Sequence, residues 1–196
     1  MAEIRSTMDM VMERAAKMAA EAKNEVTDDS TVKEGMRLAA EYLKNPQGKL
    51  VDVLQQQDQK KQIPLLQGIS DTLLRNIVLP RDENLLEASL KALAIIADLS
   101  PGEVSTICQE LQQILEQYSQ HKEQMQTQLD DAIRSQLEQQ LIQQGTQITE
   151  EMTINPTMHP QYAQEQDKML SSLNGQYNEA LDQRKALIRQ RLVPGS

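Results

Sequence analysis

The sequence predicts an all-α protein. An N-terminal helical bundle (residues 1–99) precedes a long antiparallel helical hairpin (residues 100–192) that forms a coiled-coil-like stalk. Three observations predict it. No helix breaker stands between Pro101 and Gln144 except Gly102 at the very start. Apolar residues recur at alternating steps of three and four through Val104–Tyr118, the seam spacing of paired helices. The chain has no Trp or Phe, four Tyr and ten Met, so its cores must be built from aliphatic side chains and adaptable thioethers.

The segment Ser100–Gln144 reads as one helix. Ser100 suits an N-cap, Pro101 the first helical position and Glu103 the reciprocal position of a capping box. Gly145 stands where a left-handed C′ residue is commonly glycine. At ~1.5 Å per residue the rod is about 65 Å long, beyond the reach of any single small core. Its apolar stripe is Val104, Ile107, Leu111, Ile114, Leu115, Tyr118, Met125, Leu129, Ile133, Leu137 and Leu141, and thirteen Gln are distributed along the rod. A narrow stripe on a glutamine-rich rod needs one or two partner helices.

Ahead of the rod, Ile4, Met8, Val11, Met12, Ala15, Met18, Ala19 and Ala22 mark an amphipathic helix from about Thr7 to Glu25, with a capping signature at Ser6–Asp9. A second helix spans about Thr31–Lys44 and ends at the turn Asn45-Pro46-Gln47-Gly48. Lys49–Lys61 begins as a short helix and frays into a polar linker. Pro64 suits the first turn of the next helix, which Pro80 closes. Asp82 caps a fifth helix carrying Leu85, Leu86, Leu90, Leu93 and Ile96, the most apolar stretch of the chain.

After the rod, residues 145–159 form the one long irregular segment, and Gln147–Ile154 admits a short β-like excursion. Its Ile148, Met152, Ile154 and Met158 carry more apolar surface than a loop needs, which marks them as candidate partner-binding residues. The last helix, about Pro160–Leu192, places Met169, Leu173, Tyr177 and Leu181 on one face. Folded back from the loop, its 33 residues cover roughly 112–144 and leave Val104, Ile107, Cys108 and Leu111 to the head. The expected stalk interface is therefore Val104, Ile107, Leu111, Ile114, Tyr118, Met125, Leu129, Ile133, Leu137 and Leu141 with Met169, Leu173, Tyr177 and Leu181. Two helices alone leave flanking apolar atoms wet, so a homodimer with four helices in cross-section is expected. Leu192-Val193-Pro194-Gly195-Ser196 resembles an altered protease-site scar, so residues 193–196 are read as a tag remnant outside the fold.

The charges argue about partners. Residues 1–99 carry a net charge of −3 and residues 100–196 one of −6, making −9. An acidic chain with no basic stripe and few stacking aromatics is not expected to bind nucleic acid. The single cysteine, Cys108, fits a reducing compartment, and its place beside the stripe predicts a buried, inert thiol. Neither a signal peptide nor a membrane span is legible, so a cytoplasmic protein is expected.

Reactive constellations are sparse. His121 and His159 are far apart in sequence, and His121 reads as a half-exposed structural imidazole. Glu150, Glu151 and His159 share the loop but lack a nucleophile or pocket. No phosphate loop or Glu-x-x-His pair occurs, so neither enzymatic activity, cofactor nor metal is expected.

The opening Ile4-Arg5-Ser6-Thr7-Met8-Asp9-Met10-Val11-Met12-Glu13-Arg14 resembles the start of an uncharacterised family of bacterial all-helical proteins. Gly145 and Asn155-Pro156 match that family's Gly-containing loop loosely, the last two in reversed order. The resemblance implies a bacterial origin and no known activity. Together these readings predict a structural or adaptor protein that dimerises through its stalk and holds a protein partner at the apolar loop or the head. The alternatives are a membrane-surface protein using the Thr7–Glu25 helix, or a helical enzyme or small-ligand protein.

Overall fold

In the computed structural model, which describes residues 28–46, 48–100, 102–145 and 154–193, every regular element is a helix. The chain is all-α, with α1 (residues 28–44), α2 (Leu50–Gln55), α3 (Gln59–Arg75), α4 (Glu83–Leu99), α5 (Glu103–Gln143), a 3₁₀ turn (Pro156–Met158) and α6 (Tyr162–Leu192). The predicted Thr7–Glu25 helix and most of the β-like excursion lie outside the described residues, and Ile154 is not in a strand.

The head is built by α1–α4 together with the adjoining parts of α5 and α6. Ala39, Leu65, Ile69, Leu73, Ile77, Leu93 and Ile96 share one buried cluster with Val104, Cys108, Leu111 and Leu115 of α5 and Leu181 and Ile188 of α6. The chain enters α2 through a turn in which Tyr42 Oη donates to Gly48 O at 2.8 Å. No linker frays before α3: Gln56–Asp58 turns at once into its first residues, so Pro64 lies inside the helix and not in its first turn. Pro64 offers no N–H to Lys60 O, and the helix nevertheless continues because Leu65, Ile69 and Leu73 bury its inner face.

Asp82 caps α4 as predicted, its Oδ1 accepting from Leu85 N at 2.9 Å. The capping box at the start of the rod does not form. Ser100 instead ends α4, its N–H donating to Ile96 O, and the N-cap of α5 is Gly102 with no side-chain cap bond. Gly102 has φ 108°, a conformation costly for any residue with a Cβ, and this lets α5 leave α4 abruptly. Glu103, freed from capping, pairs with Arg191 of α6.

Helices α5 and α6 run antiparallel. Glu103 faces Arg191, Glu110 faces Arg184, Tyr118 faces Asn174, Gln126 faces Gln166, and Asp130 faces Tyr162. This register differs from the sequence expectation. The end of α6 lies beside the start of α5, and α6 itself reaches no farther along the rod than Asp130; beyond that level the segment around Ile154–Met158 packs on α5 instead. The cause is the returning chain, whose 3₁₀ turn packs on α5 before α6 begins. A second correction follows from the same register. Leu192 and Val193, set aside on sequence with the terminal residues, are buried in the head core.

Candidate functional site

A polar ladder crosses the α5–α6 seam. Its lowest rungs are ion pairs, Glu103–Arg191 and Glu110–Arg184, and Arg189 of α6 adds a bond to Asp71 of α3 at 2.7 Å. Above them Tyr118 Oη donates to Asn174 Oδ1 at 2.8 Å. Its ring meets that of Tyr177 edge to face with centroids 5.3 Å apart. Tyr177 Oη lies 2.6 Å from His121 Nδ1. At the top, Tyr162 Oη donates to Asp130 Oδ1 at 2.6 Å and accepts from Gln126 Nε2 at the same distance. Gln126 Oε1 accepts in turn from Gln166 Nε2 at 2.9 Å. Tyr and Gln serve here because each presents both a donor and an acceptor at the end of an apolar or flexible stem.

The environment raises all three phenol pKa values. Desolvation does so for Tyr118, against the opposing pull of Arg81, and for Tyr177. For Tyr162 the main cause is its hydrogen bond to Asp130. Burial pushes the Cys108 thiol up to about 11, which makes it an inert side chain at neutral pH, as expected.

The segment linking α3 to α4 lies beside this ladder. Ser89, fully buried, accepts from Val78 N, and its Oγ is within hydrogen-bond distance of Asn76 O and Val78 O. Lys122 Nζ donates to Arg81 O at 3.1 Å. One cleft, of about 460 Å³, opens between Pro80–Glu83, α5 and α6, with Leu86 and Leu170 as apolar lining and Lys122, Gln126 and Gln166 as polar lining. Another, of about 370 Å³, is lined by Leu85, Tyr118, Asn174 and Asn178, and both include Arg81. Neither brings a nucleophile to a matched base. Among the described residues no three His, Cys, Asp or Glu side chains converge as metal ligands would.

The residues expected at the stalk interface lie along the seam to differing depths. Val104, Leu111, Tyr118, Ile133, Leu173 and Leu181 are buried; Ile107, Ile114, Met125, Leu129, Leu137, Leu141, Met169 and Tyr177 are half-buried. Of the candidate partner-binding residues, Ile148 and Met152 lie outside the described residues, as do Glu150 and Glu151. Ile154 and Met158 come together with Leu137 and Leu141 around a cleft of about 300 Å³ at the far end of α5. His159 is buried, and its Nδ1 accepts from Gln161 N at 3.2 Å, a local turn bond. His121 is exposed, not half-exposed. The polar ladder was missed on sequence because its members, spaced about two turns apart among thirteen Gln, carry no local signature.

These features define an all-helical protein organised on one long antiparallel helix pair. The chain belongs to a family of unknown function, DUF6657, whose sequence profile matches residues 51–190 and so takes in nearly all of α2–α6. The segment Ile4–Arg14 falls outside that match. No curated protein and no solved structure matches the chain. Among the described residues no helix is long and apolar enough to cross a membrane.

Proposed function

We propose that this is a non-enzymatic structural or adaptor protein of the bacterial cytoplasm. It dimerises through its helical stalk and holds a protein partner at an exposed apolar surface of the loop end or the head. The observation that carries the reading is the far end of α5. From Asp130 to Gln143 the helix runs about 20 Å past the level at which α6 begins. Two large apolar side chains at this level are open to solvent, Ile142 near the end of α5 at 62 % and Met158 of the 3₁₀ turn at 79 %. Exposed apolar groups at the end of an arm mark interaction surfaces, and an arm provides reach without enclosing a pocket. On the head, Ile63 of α3 is open to the same degree, at 64 %.

Affinity capture from the native host tests the partner. Wild-type protein is compared with Ile142→Asp/Met158→Asp and with Ile63→Asp, all three checked for unchanged helix content. Loss of one stoichiometric protein in either variant supports an adaptor. Identical captures from all three, combined with turnover of a small molecule by the wild type, would contradict it.

A further inference from the structure

We propose that the smaller cleft between the α3–α4 link, α5 and α6 binds a small organic carboxylate, with Arg81 as its charged anchor and Asn174 and Asn178 as further donors. The inference is independent of the adaptor reading and concerns binding alone. The cleft, of about 370 Å³, has one charged lining residue, Arg81, and no acidic one. The larger neighbouring cleft also includes Arg81 but is bordered by Asp82, Glu83 and Glu123. In a chain of net charge −9, a concavity whose lining charge is positive favours an anion over a cation.

Arg81 has no ion pair among the described residues, whereas Arg134, Arg184, Arg189 and Arg191 each have one. Its charge opposes the rise of the Tyr118 phenol pKa, which puts the guanidinium near that ring on the cleft wall. The backbone that carries it is fixed: Lys122 Nζ donates to Arg81 O at 3.1 Å, Ser89 holds Val78 N, and Asp82 caps α4. The arginine is thereby positioned without being neutralised, and its planar fork matches the two oxygens of a carboxylate.

The further donors come from α6. Asn174 Oδ1 accepts from Tyr118 Oη at 2.8 Å, which leaves the Nδ2 hydrogens without a partner among the described residues. Asn178, one turn on, lines the same cleft and has no side-chain hydrogen bond among the described residues. A carboxylate supplies acceptors only, the complement of a guanidinium and two amide N–H groups. Leu79 and Leu85 add apolar wall, so the acid is expected to carry a hydrocarbon body.

Titration of the isotopically labelled full chain with sodium hexanoate tests the proposal, read by NMR at the side-chain amide signals of Asn174 and Asn178. Those signals should move with a roughly millimolar Kd, the range open to one ion pair and a few hydrogen bonds. Hexanamide, which keeps the hydrocarbon and loses the charge, should not move them. Arg81→Gln should raise the Kd by more than about tenfold. Asn174→Asp should do the same, since it can still accept from Tyr118 but places a negative charge in the cleft. Arg75→Gln, at an exposed arginine of α3, should leave the Kd unchanged. An unchanged Kd in Arg81→Gln, equal binding of hexanamide, or no movement at about 50 mM hexanoate would each overturn the proposal. Tighter binding of inorganic phosphate would overturn the ligand class, and tighter binding of acetyl-alanyl-leucine, a peptide C-terminus, would overturn a free acid as its source.

Discussion

Gly35 and Gly68 mark the crossing of α1 and α3, each lying against the backbone of the other's helix. A Cβ at Gly35 would overlap the carbonyl of Leu65, and one at Gly68 would overlap the carbonyl of Val32 and crowd Met36 N. Neither obstacle is a side chain that could swing aside. The two helices therefore pack at a distance only glycine allows, and the head closes around that contact.

Gly68→Ala should destabilise the protein by about 3 kcal/mol, the upper end of the overpacking range, since backbone must move to admit the methyl. Gly175, inside α6, has nothing within 4 Å of where its Cβ would stand. Gly175→Ala should therefore stabilise, by about 0.5–1 kcal/mol, because it removes only backbone freedom from the unfolded chain. Thermal or urea unfolding of the two variants should show opposite signs. Equal and small effects would mean that α1 and α3 are not in contact there.

Ser89→Ala removes the hydroxyl that joins α4 to the Asn76–Val78 backbone and leaves buried polar groups unpaired. The expected loss is about 1–3 kcal/mol, which at roughly 2–4 °C per kcal/mol is a drop of several degrees in Tm for a chain of this size. Because Ser89 positions the segment leading to Arg81, hydrogen exchange at Val78 should accelerate more than exchange along α5. A uniform change would mean that the hydroxyl only fills space.

Alkaline pH should destabilise the fold. Tyr118, Tyr162 and Tyr177 and the Cys108 thiol all have native pKa values above their ordinary ones, so the native state holds protons that the unfolded chain releases. That stability is complete below about pH 9 and is lost as pH rises through the native values. Lys185, lowered by burial, acts in the opposite sense in the same window, one group against four. Urea midpoints should therefore fall from pH 9 to 11, less steeply in Cys108→Ala. At neutral pH a thiol reagent should modify Cys108 slowly in the native protein and rapidly in urea; fast native labelling would contradict its burial.

The long helix, its end at Gly145 and the Asp82 cap were legible in the sequence because each is written in consecutive residues. The α4–α5 junction was not. Ser100-Pro101-Gly102-Glu103 contains a sound capping pattern, but α4 is apolar enough to extend to Leu99 and takes Ser100 as its own end. The register of α6 was illegible for a different reason. It depends on how the returning chain packs around Pro156, and no local propensity encodes that. The glycine crossing was hidden as well, since nothing local to Gly35 or Gly68 shows that their two helices meet backbone to backbone. At the candidate site, Ile154 and Met158 were recognisable as apolar residues in a loop. Their meeting with Leu137 and Leu141 follows only from the register.

That register is the central claim, and spin-label distances measure it directly. In a Cys108→Ala background, a label at residue 184 is paired in turn with labels at residues 110, 117 and 124, positions about two turns apart on one α5 face. With Arg184 bonded to Glu110, the separation should be shortest for 110 and lengthen with each seven-residue step toward 124, by about 5 Å for the first step and about 9 Å for the second, since each step moves the label about 10 Å along an axis lying about 9 Å away. A minimum at 117 or 124 would mean that α6 lies flush with the far end of α5, would leave no free arm, and would contradict the account.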